Sequence, residues 1–497
     1  MRRHTRIAFR FGAWLCIFLL LPVILFSALA EDQTEEDIFI PPEPVSDANP
    51  YDPAKPENLS EDQLVAKSAI LIEANTGEVI FEKNADERRS PASTTKIMTV
   101  FLGLTIGKAN NMLDDTITIS DEDVNLPENS SVIPMSAGET IRFEDLLYAT
   151  MVRSGNEGAN AIAEAVSGSI PDFVDLMNET AKYMGCTGTH FANPNGLHDA
   201  NHYTTARDMA IIAKEAMDNS DFRQIAATTS YSLPKSNVNK ARTVRNTKNA
   251  WMVQAEDNKY YYSYSNGIKT GFTNKAGYCF VGSATKNGVS LISVVFYSDN
   301  TSQWTDTTKL MDYGFSQYLS VSPEELFDMN PIVLETTGFS RDDPDLGRLP
   351  LSLVPMDTAA TAAIVATRSE VESMARNLQQ YVIIEYIRDF AAPIEAGEQM
   401  GTLTYFPPDG TSDPVEYGLV ATRSIKLREN APKSIEEIFK ESIDDPNPFP
   451  RITLELIIMA LLPVGGLFLA IRIMRRVSKR FTGKGGALPK PTSRRYR

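Results

Sequence analysis

Three short stretches of the chain carry residues able to act on one another. Ser93-Thr94-Thr95-Lys96 follows Pro91-Ala92 and opens an apolar run, Ile97–Leu104, with the spacing of a helix. At positions i and i+3 of a helix, the serine hydroxyl and the lysine amine share one face and can touch. A serine is a weak nucleophile near its free pKa and needs an adjacent base. A lysine serves as that base only where burial or a neighbouring cation lowers its pKa. Ser154-Gly155-Asn156 follows a helical segment ending near Arg153, and Lys269-Thr270-Gly271 follows Asn266-Gly267-Ile268 ahead of strand-like sequence. The last stretch offers a cation and a hydroxyl to a carboxylate, and its glycine lets a substrate backbone come close. Together these groups suit a nucleophilic serine working on a substrate that ends in a carboxylate.

S-x-x-K alone is a cheap pattern, and the chain holds a second copy. Ser283-Ala284-Thr285-Lys286 sits at a strand end before the Asn287-Gly288 turn, where residues i and i+3 point to opposite faces and cannot cooperate. Ser298-Asp299-Asn300 imitates the middle stretch, but it comes after Lys269 and so out of order. The informative signal is the ordered triple at 93, 154 and 269. His198 and His202 are four residues apart in an Asn- and Gly-rich stretch and read as loop histidines, not a zinc site. No phosphate-binding loop is visible, and no cofactor or metal is expected.

The elements that must position these residues form an α/β (α+β) pattern. Ala69–Glu73 and Val79–Glu82 flank the turn residues Asn75-Thr76-Gly77, and Gly277–Ala284 and Val289–Tyr297 flank Asn287-Gly288, so both pairs predict hairpins. Phe143–Met151, Glu157–Val166 and Thr205–Met217 have helical apolar spacing. Further on, Tyr381–Tyr386, Met400–Phe406 and Tyr417–Ala421 read as strands.

A chain of 497 residues exceeds one comfortable core, which predicts two folded domains plus tails. Residues 1–30 read as a signal peptide: Arg2, Arg3, Arg6 and Arg10, then apolar Ala13–Leu29, then Ala28-Leu29-Ala30 before Glu31. Residues 31–63 are acidic and Pro-rich and are expected to be a spacer. Residues 64–320 form the first domain and 325–427 a second, all-β one, followed by a linker at 428–451. Ile452–Ile471 is apolar apart from Thr453 and Glu455. At about 1.5 Å per residue, this run is long enough to cross the roughly 30 Å hydrocarbon core as a transmembrane helix. In residues 472–497 every charged side chain is Lys or Arg, as expected of a cytoplasmic tail. The reading is therefore a body outside the cell membrane on one C-terminal anchor. Net charge is −16, and with both termini basic the body is more acidic still, which sets nucleic acid aside as a partner. Beyond the signal only Cys186 and Cys279 remain, expected as two buried thiols.

S-x-x-K, S-x-N and K-T-G in this order resemble the penicillin-recognising serine enzymes. The wording is similar to the low-molecular-mass penicillin-binding proteins that are D-Ala-D-Ala carboxypeptidases. Arg89–Thr99, Leu147–Ala163, Asn193–Asp208 and above all Ser265–Ala284 carry the likeness, and Ala392–Tyr405 resembles that family's C-terminal β domain. The resemblance implies a β-lactamase-like, transpeptidase-like catalytic domain at 64–320. Its substrates would be peptidoglycan stem peptides ending in D-Ala-D-Ala, and β-lactams would be covalent inhibitors. It further implies that Ser93 attacks the terminal peptide bond, Lys96 takes its proton and Ser154 relays a proton to the leaving amine. Asn156 would bind the peptide, Lys269 and Thr270 the terminal carboxylate, and Gly271 would allow close approach. The N–H groups of Ser93 and Phe272 would form the oxyanion hole. One position departs from the family: ahead of Asp306 and Tyr313-Gly314-Phe315, Gln303 stands where an arginine is usual. A β-lactamase would carry S-D-N and a deacylating glutamate soon after it. The available E-x-x-x-N, Glu215 to Asn219, ends a helix instead. A catalytically weak peptidoglycan-binding scaffold is the other alternative, with Gln303 as its support.

Overall fold

The computed structural model describes residues 39–45, 49–356, 363–408 and 413–428. The expected signal peptide, most of the linker, the apolar run 452–471 and the basic tail lie outside the described residues. Among those described, no helix is long and apolar enough to cross a membrane. Two compact units form. Of the described residues, one comprises those up to Val333 with Pro350–Arg388 and Gln399–Thr422, and the other Leu334–Leu349, Asp389–Glu398 and Arg423–Arg428.

The first unit is built on a five-stranded antiparallel sheet. Its strands are β1 (Ser68–Glu73), β2 (Val79–Lys83), β3 (Ser265–Thr273), β4 (Gly277–Lys286) and β5 (Val289–Ser298), in the order β2-β1-β5-β4-β3. Both predicted hairpins are present. The β4–β5 turn has Asn287 at φ 50° and Gly288 at φ 81°, the two positive values a type I′ turn needs to match the twist of its strands. β1 is buried along its whole length because the sheet is covered on both faces. Ile70 and Ile72 join one apolar cluster and Ala69 and Leu71 the other. A strand buried on two sides reads as a continuous apolar run.

One face carries helices α1 (Lys96–Ala109), α2 (Phe143–Arg153), α3 (Asn156–Ser167) and α4 (Ala206–Asp218). α1 is buried on nearly every side, as a central helix must be. The other face carries α5 (Ser302–Gln317), whose Trp304, Leu310 and Met311 pack with Trp251, Phe280, Leu59 and Leu64. Part of the expected spacer is therefore core: its two short 3-10 turns, Pro56–Asn58 and Glu61–Gln63, deliver Leu59 and the adjoining Leu64 of the first domain to that cluster. Their apolar residues are too few to make a period, and only the tertiary contact reveals them. β3 is the edge of the sheet, bonded to β4 on one side only. Its alternate backbone groups on the other side remain open to a partner.

The region expected to be all-β is strand-rich but contains a helix, Arg368–Arg376. Thr367 caps it and Glu370 completes a capping box. The strands predicted at 381, 400 and 417 are present, each within a residue or two of its expected bounds. They extend an antiparallel sheet in the order Arg348–Pro355, Val415–Ala421, Gln399–Tyr405, Val382–Tyr386. In the second unit, Asp343 accepts two hydrogen bonds of 2.9 Å from the Arg423 guanidinium. That grip holds its carboxyl down at about 2.

Candidate active site

Ser93 lies in a 3-10 turn, Ala92–Thr95, that leads straight into α1. The turn gives the i, i+3 geometry expected of a helix, and Lys96 Nζ lies 3.1 Å from Ser93 Oγ. The same nitrogen donates to Asn156 Oδ1 at 2.7 Å and to the Asn195 carbonyl at 2.5 Å. Lys96 is fully buried, and burial, reinforced by the charge of Lys269, lowers its pKa well below the ordinary lysine value. A neutral amine keeps two N–H donors and one lone pair. Asn156 Oδ1 and Asn195 O can only accept, so they take the two N–H groups and leave the lone pair facing Ser93 Oγ. Glu157, whose charge favours a proton on Lys96, is also buried, and desolvation pushes its carboxyl up to about 7, which weakens that support.

The middle stretch closes the site from the ends of two helices. Ser154 terminates α2 with φ 63°, a left-handed conformation. Asn156 opens α3 and donates its N–H to the Ser131 carbonyl at 2.8 Å. Lys269 comes from β3 and donates to Ser154 Oγ and to the Thr270 carbonyl, each at 2.9 Å. Burial, and then the nearby charge of Lys248, brings the Lys269 pKa down to about 7. A cavity of about 860 Å³ opens over these groups, lined by Ser93, Ser154, Asn156, Thr270, Gly271 and Phe272 among others. The two lysines are buried behind its wall. All eight residues singled out in the sequence thus gather in or directly behind one cavity. Gly271 brings β3 against the nucleophile: a Cβ there would stand 3.1 Å from Ser93 N.

The look-alike motifs have structural roles, although Asn300 of the second also lines the cavity. Ser283 is buried within β4, and the Lys286 ammonium sits 4.9 Å over the ring of Tyr264. Asp299 accepts from the N–H groups of Thr301 and Ser302, each at 2.7 Å, at the start of α5. Asn219 caps the short helix Ser220–Ala226, so it does not pair with Glu215 over the cavity.

Several contributors were not foreseen. His202 Nδ1 accepts from the Ala192 N–H at 2.9 Å, so its other nitrogen carries the proton toward Thr95 Oγ1 at 2.8 Å. Thr95 in turn donates to the Ala92 carbonyl at 2.8 Å. This buried chain fixes Ala92, which has φ 47°, immediately before Ser93. Burial pulls the His202 pKa down to about 4, which keeps the ring neutral. Lys248 also lines the cavity, beside Gln303, the position already singled out in the sequence. The histidine and lysine act across long sequence separations, and nothing local announces them. Cys186 and Cys279 are free and buried, and among the described residues no cluster suited to a metal is found.

A family profile described as D-alanyl-D-alanine carboxypeptidase, peptidase S11, matches residues 55–300. The D-alanyl-D-alanine carboxypeptidase DacF of Bacillus subtilis is 31% identical over 340 residues, covering 68% of this chain and 80% of that protein. The chain belongs to this family. Within the D-alanyl-D-alanine carboxypeptidase family it is also 33% identical to the enzyme of Streptomyces sp. strain K15, over 51% of this chain and 88% of that one. Penicillin binding protein 5 from Haemophilus influenzae superposes with a TM-score of 0.49 at 25% identity, covering 74% of this chain and 100% of that one.

Proposed function

We propose that this chain is a serine-type D-alanyl-D-alanine carboxypeptidase that removes the terminal D-Ala of peptidoglycan stem peptides through a Ser93 acyl-enzyme. The observation that carries the reading is a desolvated Lys96 amine 3.1 Å from Ser93 Oγ, with its other partners limited to acceptors. Ser93 Oγ attacks the carbonyl between the two terminal D-alanines, and its proton passes to Lys96. The N–H groups of Ser93 and Phe272 receive the developing oxyanion, a contribution of about 3 kcal/mol per donor. Ser154, hydrogen-bonded to Lys269, relays a proton to the departing D-Ala amine. Lys269 and Thr270 hold the terminal carboxylate, and Asn156 and the open edge of β3 take the peptide backbone. Water then attacks the ester and releases the shortened peptide and Ser93. A β-lactam acylates the same oxygen by ring opening.

The test is mass spectrometry of the full chain with benzylpenicillin and with a D-Ala-D-Ala peptide. One penicillin adduct on Ser93 and loss of one D-Ala from the peptide are expected, with Lys96→Ala abolishing both. An adduct on Ser283, or none, defeats the reading.

Location at a membrane belongs to the same proposal and is supported by sequence alone: the apolar run 452–471 and the basic residues beyond it. In that arrangement the strand-rich 325–427 region serves as a C-terminal β domain between the catalytic body and the bilayer. Protease added to intact protoplasts should then digest the body, and a body left untouched would rule the topology out.

A further inference from the structure

The N-terminal arm reaches the rim of the cavity. Phe39 sets its ring against three others, with centroids 5.9 Å from Phe272, 5.7 Å from Tyr278 and 5.9 Å from Tyr297. The first two contacts are edge-on, the arrangement favoured by aromatic quadrupoles. Phe272 and Tyr278 lie 4.4 Å apart and both line the cavity. They face each other across the β3–β4 pair, one step from its turn, where Thr273 stands opposite Gly277. The turn is shaped to the arm: a Cβ on Gly277 would come within 2.8 Å of the Phe39 ring. Pro42 is buried a few residues further on, so the arm is fixed at two points.

β3 is an edge strand, and Phe272 sits near its end, where sheet hydrogen bonds restrain it from one side only. Its side chain is 45% exposed even with the arm in place. The backbone at this residue nevertheless has to be held closely, because the neighbouring Gly271 lies against Ser93 N. Phe39 supplies the restraint that the open edge lacks.

We propose that Phe39 is a positioning residue of the acylation site, its ring fixing the Phe272 end of the β3–β4 hairpin at the distance the oxyanion requires. The proposal rests on the Ser93 acyl-enzyme reading. It gives part of the acidic, Pro-rich segment a task in catalysis. Because Phe39 touches neither the nucleophile nor the carboxylate site, its loss should slow bond formation and leave ligand capture alone.

The experiment uses the full chain and follows acylation by benzylpenicillin to saturation, separating the limiting acylation rate from the half-saturating concentration. A thermal unfolding midpoint is measured on each variant. Phe39→Ala is expected to lower the limiting rate about tenfold, the scale of a sub-ångström misplacement. Its half-saturating concentration should stay within about twofold of the unaltered chain, and Phe39→Tyr should restore the rate. Tyr297→Ala, which acts from the side of the cluster away from the cavity, should slow acylation in the same direction, and the double variant should be less than additive. Should Phe39→Ala fail to fold, Phe39→Leu carries the same expectation at a severalfold effect. An unchanged limiting rate, a defect confined to half-saturation, or a Phe39→Tyr variant as slow as Phe39→Ala would overturn the proposal. An unaltered chain that does not acylate would defeat the Ser93 reading itself, which separates the two failures.

Discussion

Gly196 lies in the loop that bonds to Lys96, and replacing it with alanine tests how closely the nucleophile must be held. Its φ is +89°, and a Cβ would stand 2.0 Å from the Ala92 oxygen, 2.3 Å from the Ala92 carbonyl carbon and 2.8 Å from Ser93 N. These are backbone atoms, so no rotamer change relieves the clash. Restoring an acceptable contact of about 3 Å requires the Ala92–Ser93 peptide or the 195–197 loop to move by about 1 Å, a displacement that typically costs ~100-fold in rate. The same change carries about 1–2 kcal/mol of strain for a non-glycine residue at positive φ. Gly168→Ala isolates that strain, because Gly168 has φ +80° and a Cβ there meets nothing within 4 Å.

The assay is the second-order rate of acylation by a fluorescent penicillin, run beside thermal unfolding for each variant. Gly196→Ala should lose about 100-fold, or ~2.7 kcal/mol of transition-state stabilisation, and more stability than Gly168→Ala, which should acylate normally. Gly271→Ala ranks between them, since its contacts at 3.0–3.1 Å ask for a shift of only a few tenths of an ångström. If Gly196→Ala acylated within about threefold of the unaltered chain, the close packing behind Ser93 would not be what positions it.

Further expectations concern charge and thiols. With Lys269 at about 7, the cation proposed to receive a carboxylate is lost as pH rises. The kcat/KM for a carboxylate-terminated peptide should therefore fall through that pH, and Lys269→Arg should flatten the fall; a limb that persists in the arginine variant would assign it elsewhere. Gln303 stands in the cavity wall, and Gln303→Arg should lower KM for such a peptide about threefold to tenfold while leaving a carboxylate-free ester unaffected. Equal effects on both would remove Gln303 from the carboxylate site. Burial pushes the thiols of Cys186 and Cys279 up to about 12, so neither should react with iodoacetamide at neutral pH until the chain is unfolded.

The part of the site that was legible in sequence is the part made of side chains in short, ordered patterns. Ser93 with Lys96, Ser154 with Asn156, and Lys269 to Phe272 each fit within one turn or one strand end, and local spacing is enough to place them. The helices beginning at Phe143, Asn156 and Ala206 were found within a few residues for the same reason, since their apolar periods are long. What sequence could not supply is contact across the chain. The Asn195 carbonyl that fixes Lys96 is a backbone atom and has no residue signature. The pairing of His202 with Thr95, and the return of Phe39 to Phe272, depend on the tertiary fold. The short turns carrying Leu59 and Leu64 lack a period. The Thr367-x-x-Glu370 capping box was a readable local signal for the helix at 368–376.

Two lysines in one desolvated site need a physical reason to take different roles. Both amines are buried, the charge of Lys269 lowers the proton affinity of Lys96, and Glu157 is raised to about 7, so the site cannot hold two full positive charges cheaply at neutral pH. Lys269 sits at about 7 and lies against Thr270 at the cavity wall, where an incoming carboxylate would favour its charged form. Lys96 lies against two acceptors and Ser93 Oγ, and burial lowers its pKa well below the ordinary lysine value. Bound as proposed, a carboxylate-terminated ligand would therefore do two things on arrival. It would keep Lys269 protonated, and the retained charge on Lys269 would disfavour a proton on Lys96, so that binding at one lysine would help hold the other as a free base. Recognition of the terminal carboxylate and activation of the serine are on this account coupled through the repulsion between two cations. An ester without a carboxylate would forgo that coupling even where it fits the cavity.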